Sequence, residues 1–138
     1  MELKVIHTYE QLDEIMPLMD ELHEQQKEYY SMFATMGFYA WISALFPSNL
    51  KIWVGYDNDV PVGYLMVGTR FVYGKKEAVI YEAYCRGNTD MVEECWGEFM
   101  DWVNIMAYDI VSCYTTRGKA IARKYGFSIS QSYLTKEI

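Results

Sequence analysis

Apolar and polar positions change period along the chain, and the changes mark out its elements. Leu3-Lys4-Val5-Ile6-His7 has the pattern of a short strand. Thr8 follows as an N-cap, with Gln11 three residues on at capping-box spacing. Leu12, Ile15, Met16, Met19 and Leu22 then recur at helical intervals, with acidic residues on the other face. Pro17 falls inside this pattern, where its missing N–H and its ring should kink or split the helix. Tyr29 to Phe46 forms a second helical segment, apolar nearly all round, with an interruption expected near Gly37. Pro47-Ser48-Asn49 ends it.

The period then shortens. Leu50 to Tyr56 reads as a strand, Asp57-Asn58-Asp59 as a turn, and Val60 to Thr69 as the returning strand. A second turn is expected around Gly74-Lys75-Lys76. Ala78 to Cys85 is a third strand, which completes an antiparallel meander. After the polar turn Arg86-Gly87-Asn88-Thr89, helical spacing returns at Val92, Cys95, Trp96, Phe99, Trp102, Val103 and Met106. Ile110 to Thr115 is a further strand, reached through that helix and so able to lie parallel to its predecessor. Thr116 to Phe127 is a short basic helix with Gly126 at its C′ position, and Ser128 to Ile138 alternates as a final strand. The fold class is mixed α/β (α+β): an antiparallel meander, a central strand-loop-helix and flanking helices. At 138 residues, one domain spanning 1–138 is expected.

Composition narrows the classes. A formal net charge of −7 argues against non-specific nucleic-acid binding, which needs a positive surface. Cys85, Cys95 and Cys113 are odd in number and include no C-x-x-C pair, so a disulfide framework and a metal site are not expected. His7 and His23 have no ligand-spaced partner. A reducing, cytoplasmic setting follows, since the N-terminus has no signal-peptide pattern. Tyr29 to Leu50 carries no charge, but its Ser, Thr, Asn and Pro residues do not suit a membrane span. It suits a buried helix or a surface for a homo-oligomer or assembly partner.

The element order, the hairpin IWVGYDNDVPVGYLMVG and the segment AIARKYGF resemble the GNAT superfamily of acyl-CoA N-acyltransferases. The resemblance implies acetyl-CoA as co-substrate and a small amine or Lys-containing acceptor. It implies that main chain at Ala83, Tyr84 and Cys85 pairs with pantetheine. It further implies that Arg86, Gly87, Asn88 and Thr89 hold the pyrophosphate, with Arg117 folding back toward it. Glu82, on the same strand, is the candidate general base. Tyr133, with Tyr114 as the alternative, stands in as candidate acid toward the thiolate, because Ala122 occupies the position of the family's usual Tyr.

Two features depart from the family pattern. Thr89 and Met91 stand where small residues are expected in the phosphate loop. Asp90, Glu93 and Glu94 crowd the helix start with negative charge, which favours the helix but repels a polyanion. The alternative is therefore a catalytically inactive GNAT-like binding or assembly protein, of a kind also found associated with phage virions.

Overall fold

The computed structural model describes residues 2–25, 34–87, 89–113 and 126. Its described strands are β1 (Glu2–Val5), β2 (Leu50–Asp57), β3 (Val60–Val72), β4 (Lys75–Cys85) and β5 (Ile110–Cys113). They form one sheet in sequence order, antiparallel from β1 to β4. β5 lies parallel to β4, because the helix between them returns the chain to the same end of the sheet. The helices are α1 (Tyr9–Glu14), α2 (Met16–Gln25), α3 (Ala34–Leu45) and α4 (Thr89–Ile105).

Local chemistry explains most boundaries. The Thr8 hydroxyl accepts from the Gln11 N–H at 3.2 Å, and Gln11 Oε1 accepts from the Thr8 N–H at 3.1 Å, so the capping box forms as expected. The helix divides at Ile15, and Pro17 lies in the first turn of α2, where its missing N–H costs little. The β2–β3 hairpin turns on Asn58 and Asp59, both at positive φ (50° and 64°), the geometry that matches the strands' twist.

Three expectations are corrected. Gly37 does not interrupt α3: it is exposed, and a Cβ there would meet nothing within 4 Å, so tertiary packing carries the helix through it. The second hairpin turns on Tyr73 and Gly74, with φ of 52° and 77°, so β3 runs on to Val72 and β4 begins at Lys75. The first strand ends at Val5, although the Ile6 N–H still bonds Ile52 O at 3.0 Å. Gly126 has φ of 75°, as a C′ glycine requires. The expected helix 116–127 around it and the expected strand 128–138 otherwise lie outside the described residues.

Strand alternation sorts the core into two layers. Ile52, Val54, Tyr64 and Met66 face α1, α2 and α3, and pack with Leu12, Ile15, Met19 and Ile42. Trp53, Leu65, Val67 and Ala78 face α4, and pack with Phe99 and Val103. Burying a side chain of this size stabilises the fold by about 1.5–3 kcal/mol. β4 breaks the alternation once. Met66 pairs with Glu82 but Val67 pairs with Ile80, which leaves Tyr81 as the extra residue of a β-bulge. Without it Glu82 would share the α4 face with Ala78 and Ile80. With it, Tyr81 and Glu82 both face α2 and α3.

Candidate functional site

Glu82 is only 6 % exposed, and its carboxylate is held from two sides. Tyr64 on β3 donates to Oε1 at 2.5 Å. His23 on α2, itself 4 % exposed, meets Oε2 through Nε2 at 2.7 Å. A buried carboxylate without such partners would be costly. Two further lone-pair positions of the carboxylate remain for a ligand.

Sequence reasoning missed both partners. His23 has no metal-ligand spacing in the sequence, yet it follows Leu22 and lies four residues after Met19, on the apolar face of α2. That spacing was the signal for a buried histidine. Tyr64 alternates with Met66 on β3, which places it in the same layer.

A second polar group adjoins this one. Tyr84 donates to Glu21 Oε2 at 3.0 Å and accepts from Gln25 Nε2 at 3.1 Å. Arg86 binds the same Glu21 with both Nε and Nη2. The Arg86 guanidinium holds the Glu21 carboxyl below its ordinary range, while burial and then Glu21 raise the Tyr84 phenol. The Arg86 side chain is therefore directed to α2.

The backbone at the end of β4 is arranged differently. The Arg86 N–H bonds Val62 O at 2.9 Å, in register with the β3–β4 ladder. Antiparallel alternation then makes Tyr84/Tyr64 and Glu82/Met66 bonded pairs. Ala83 and Cys85 accordingly direct N–H and C=O away from β3, on the side of the strand where Glu77 to Ile80 pair with β5. Cys85 O accepts from the Gly87 N–H at 3.0 Å, and Gly87 takes a φ of 62° to make that turn.

Thr89 begins α4, with Asp90 in its first turn. Met91 does not crowd the turn as its position in the sequence suggested. It is 3 % exposed and occupies the space above Gly55, where an added Cβ would fall 1.9 Å from its Sδ. Asn88, Tyr114, Thr115, Arg117, Lys119, Ala122, Arg123, Tyr125 and Tyr133 lie outside the described residues.

The described cysteines form no disulfide with one another, and burial pushes the Cys95 thiol up to about 12 and raises Cys113, which disfavours a thiolate at either. No cluster of metal-ligating side chains occurs among the described residues. No described helix is long and apolar enough to cross a membrane. A hollow of about 350 Å³ lies between the end of β1, the start of β2 and the last turn of α4, and contains none of the candidate residues.

The site thus belongs to an α+β domain in which a bulged strand, flanked by an antiparallel and a parallel neighbour, carries a buried carboxylate. This is the fold of the GNAT superfamily of acyl-CoA N-acyltransferases. A predicted acetyltransferase from Clostridium acetobutylicum, solved with acetyl-CoA, matches with a TM-score of 0.79 at 8 % identity, over 99 % of this chain and 95 % of that one. An aminoglycoside acetyltransferase from an uncultured soil metagenomic sample, in complex with sisomicin, gives 0.74 at 12 % identity, over 99 % and 95 %. The ribosomal-protein-alanine N-acetyltransferase from Brucella melitensis gives 0.74 at 10 % identity, over 99 % and 98 %. No family model and no curated protein sequence matches the chain.

Proposed function

We propose that this protein is an acyl-CoA-dependent N-acyltransferase that moves an acetyl group from acetyl-CoA to a primary amine. The observation that carries the reading is the position of Glu82. It is a buried carboxylate, aimed by a bulge, on the strand whose next residues turn backbone groups away from β3. The outward backbone groups of Ala83 and Cys85 fit the amide-bearing arm of acetyl-CoA, which supplies the thioester electrophile. The arm passes Tyr84, and Thr89 opens the helix whose N–H groups attract phosphate. Arg117 accompanies the phosphates in this reading, and Asn88 continues the loop.

Glu82 takes a proton from the acceptor ammonium, so an O–H bond forms, an N–H bond breaks, and the lone pair stays on nitrogen for attack. His23 and Tyr64 hold the carboxylate in place for that transfer. Tyr133 is assigned to protonate the departing thiolate. The setting proposed is the cytoplasm, and the acceptor a small amine or a Lys-containing peptide.

Titration calorimetry with acetyl-CoA tests this reading, and saturable binding is expected. Glu82→Gln should then lower turnover about 10²-fold or more, with cofactor binding retained. Turnover equal to wild type would remove Glu82 from the chemistry.

One observation favours a second reading, a GNAT-like binding or assembly module without catalysis. The N–H groups of Arg86 and Gly87 already bond Val62 O and Cys85 O, and the Arg86 side chain is held by Glu21. No binding at millimolar acetyl-CoA would overturn acyl transfer and leave the module, with the face around 29–50 as its proposed contact surface.

A further inference from the structure

The hollow beside the last turn of α4 is not used by the acyl-transfer reading. It lies on the face of the sheet opposite Glu82, since Val5, Lys51, Val67 and Thr69 alternate onto the side that carries Trp53 and α4. Thr69 pairs with Ala78, whereas Gly63 pairs with Cys85, so the hollow is also toward the other end of the β3–β4 ladder from the turn at Gly87. Its described lining includes no Asp or Glu.

Lys51 brings positive charge to this lining. Its Nζ stands 5.1 Å from the ring centroid of Trp53 and 5.1 Å from that of Trp102, over two indoles that meet edge-on. Such a cation gains attraction from the rings but gives up water. Lys51 makes no ion pair with a described residue. Burial lowers its amine below the ordinary value, and Glu98, one turn before Trp102, opposes this from a distance. The last carbonyls of α4 are already engaged. Trp102 O accepts from the Met106 N–H at 2.9 Å, Val103 O from the Tyr108 N–H at 3.0 Å, and Met106 O from Lys76 Nζ at 2.8 Å. Asp109 accepts from the Lys76 N–H. Thr69 and Tyr108 also line the hollow, and their hydroxyls share a hydrogen bond. Two hydroxyls carry two protons and the shared bond uses one, so the other is left for an acceptor.

We infer that this hollow binds a small monocarboxylate with an apolar body, its carboxylate on Lys51 and the Thr69–Tyr108 hydroxyls and its body against Trp102 and Val67. A carboxylate gives the ammonium the charged partner that the described residues do not supply, through a charge-assisted bond. A phosphate dianion would bring a second charge, and no further Lys or Arg is among the described lining. An organic cation is disfavoured because Lys51 already holds the indole faces. A hollow of about 350 Å³ takes one ring and a short chain. The inference stands apart from acyl transfer, because the sheet separates the hollow from Glu82.

The test is calorimetric titration of the full chain with 4-phenylbutyrate, its neutral amide 4-phenylbutanamide, and inorganic phosphate at equal ionic strength. 4-Phenylbutyrate should bind saturably, with the amide and phosphate each weaker by about tenfold or more. Lys51→Met keeps the stem against the indoles and removes the charge, so it should weaken 4-phenylbutyrate about tenfold or more, while Lys51→Arg retains most of the affinity. No saturation by 4-phenylbutyrate at millimolar concentration overturns the inference. So does an amide or phosphate that binds as tightly as the acid, or Lys51→Met binding the acid as wild type does. If Lys51→Met does not fold, the acid and amide on wild type and Lys51→Arg decide it. Saturable binding of the acid without any binding of acetyl-CoA would uphold this inference and defeat the acyl-transfer reading.

Discussion

His23 and Glu82 are 59 residues apart in sequence, and each is intelligible only through the other. A lone buried carboxylate would be expelled or neutralised, and a lone histidine on an apolar helix face would leave a ring nitrogen unsatisfied. Their bond, with Tyr64 as the third member, makes both tolerable. Removing one partner leaves the other buried and short of a bond. His23→Ala should therefore lower stability by about 3 kcal/mol in urea unfolding, and His23→Gln, which keeps a donor, by clearly less. Equal losses in the two variants would mean that ring packing against Phe38 matters and the bond to Glu82 does not.

At the scale of elements, the β3–β4 ladder has a charged clasp near its far end. Arg70 and Glu77 are directly opposite in register, and the guanidinium meets the buried carboxylate at 2.6 and 3.0 Å. Arg70 holds the Glu77 carboxyl below its usual range. A carboxyl whose folded value lies below its unfolded value contributes stability above the unfolded value, and that contribution is lost as pH falls through the folded one. Glu77→Gln should thus cost about 0.5–1 kcal/mol at neutral pH, a modest figure because Arg70 is nearly half exposed. The same variant should lose less stability than wild type on acidification below about pH 4.5, measured by urea unfolding at pH 7 and pH 3.5. Parallel pH profiles would show that the clasp does not tighten the ladder. The bulge one turn of ladder away works differently, since its effect is to re-aim Glu82 and Tyr81 toward α2 and α3.

For the whole molecule, the relevant quantity is the net charge of −7. Acetyl-CoA is itself a polyanion, so long-range repulsion opposes its approach, and added salt screens that repulsion. The proposed acetyl-CoA affinity should therefore rise between about 20 and 150 mM salt, when measured by titration calorimetry. A steep fall with salt would instead mean that a local basic patch dominates binding. The two core layers place acidic residues on both outer faces, on α4 (Glu93, Glu94, Glu98, Asp101) and on α1 and α2 (Glu10, Asp13, Glu14, Asp20, Glu24).

Local rules in the sequence determined much of this. Hydrophobic period, turn chemistry and the capping box located the described helices and strands, and the helix between β4 and β5 foretold their parallel pairing. Those signals act within a few residues, so they can be read along the chain. The failures were at distances that local signals do not span. Gly37 stayed helical because packing outweighs propensity, and Met91 turned into the core because Gly55 leaves space for it. Glu82 was legible as a strand carboxylate beside a cleft. Its burial, its face and its partners were not, because the bulge at Tyr81 and the docking of α2 decide them. An extra residue in one strand changes no local propensity, yet it reverses which side chains share a face. Only the folded sheet brings His23, Tyr64 and Glu82 into one site.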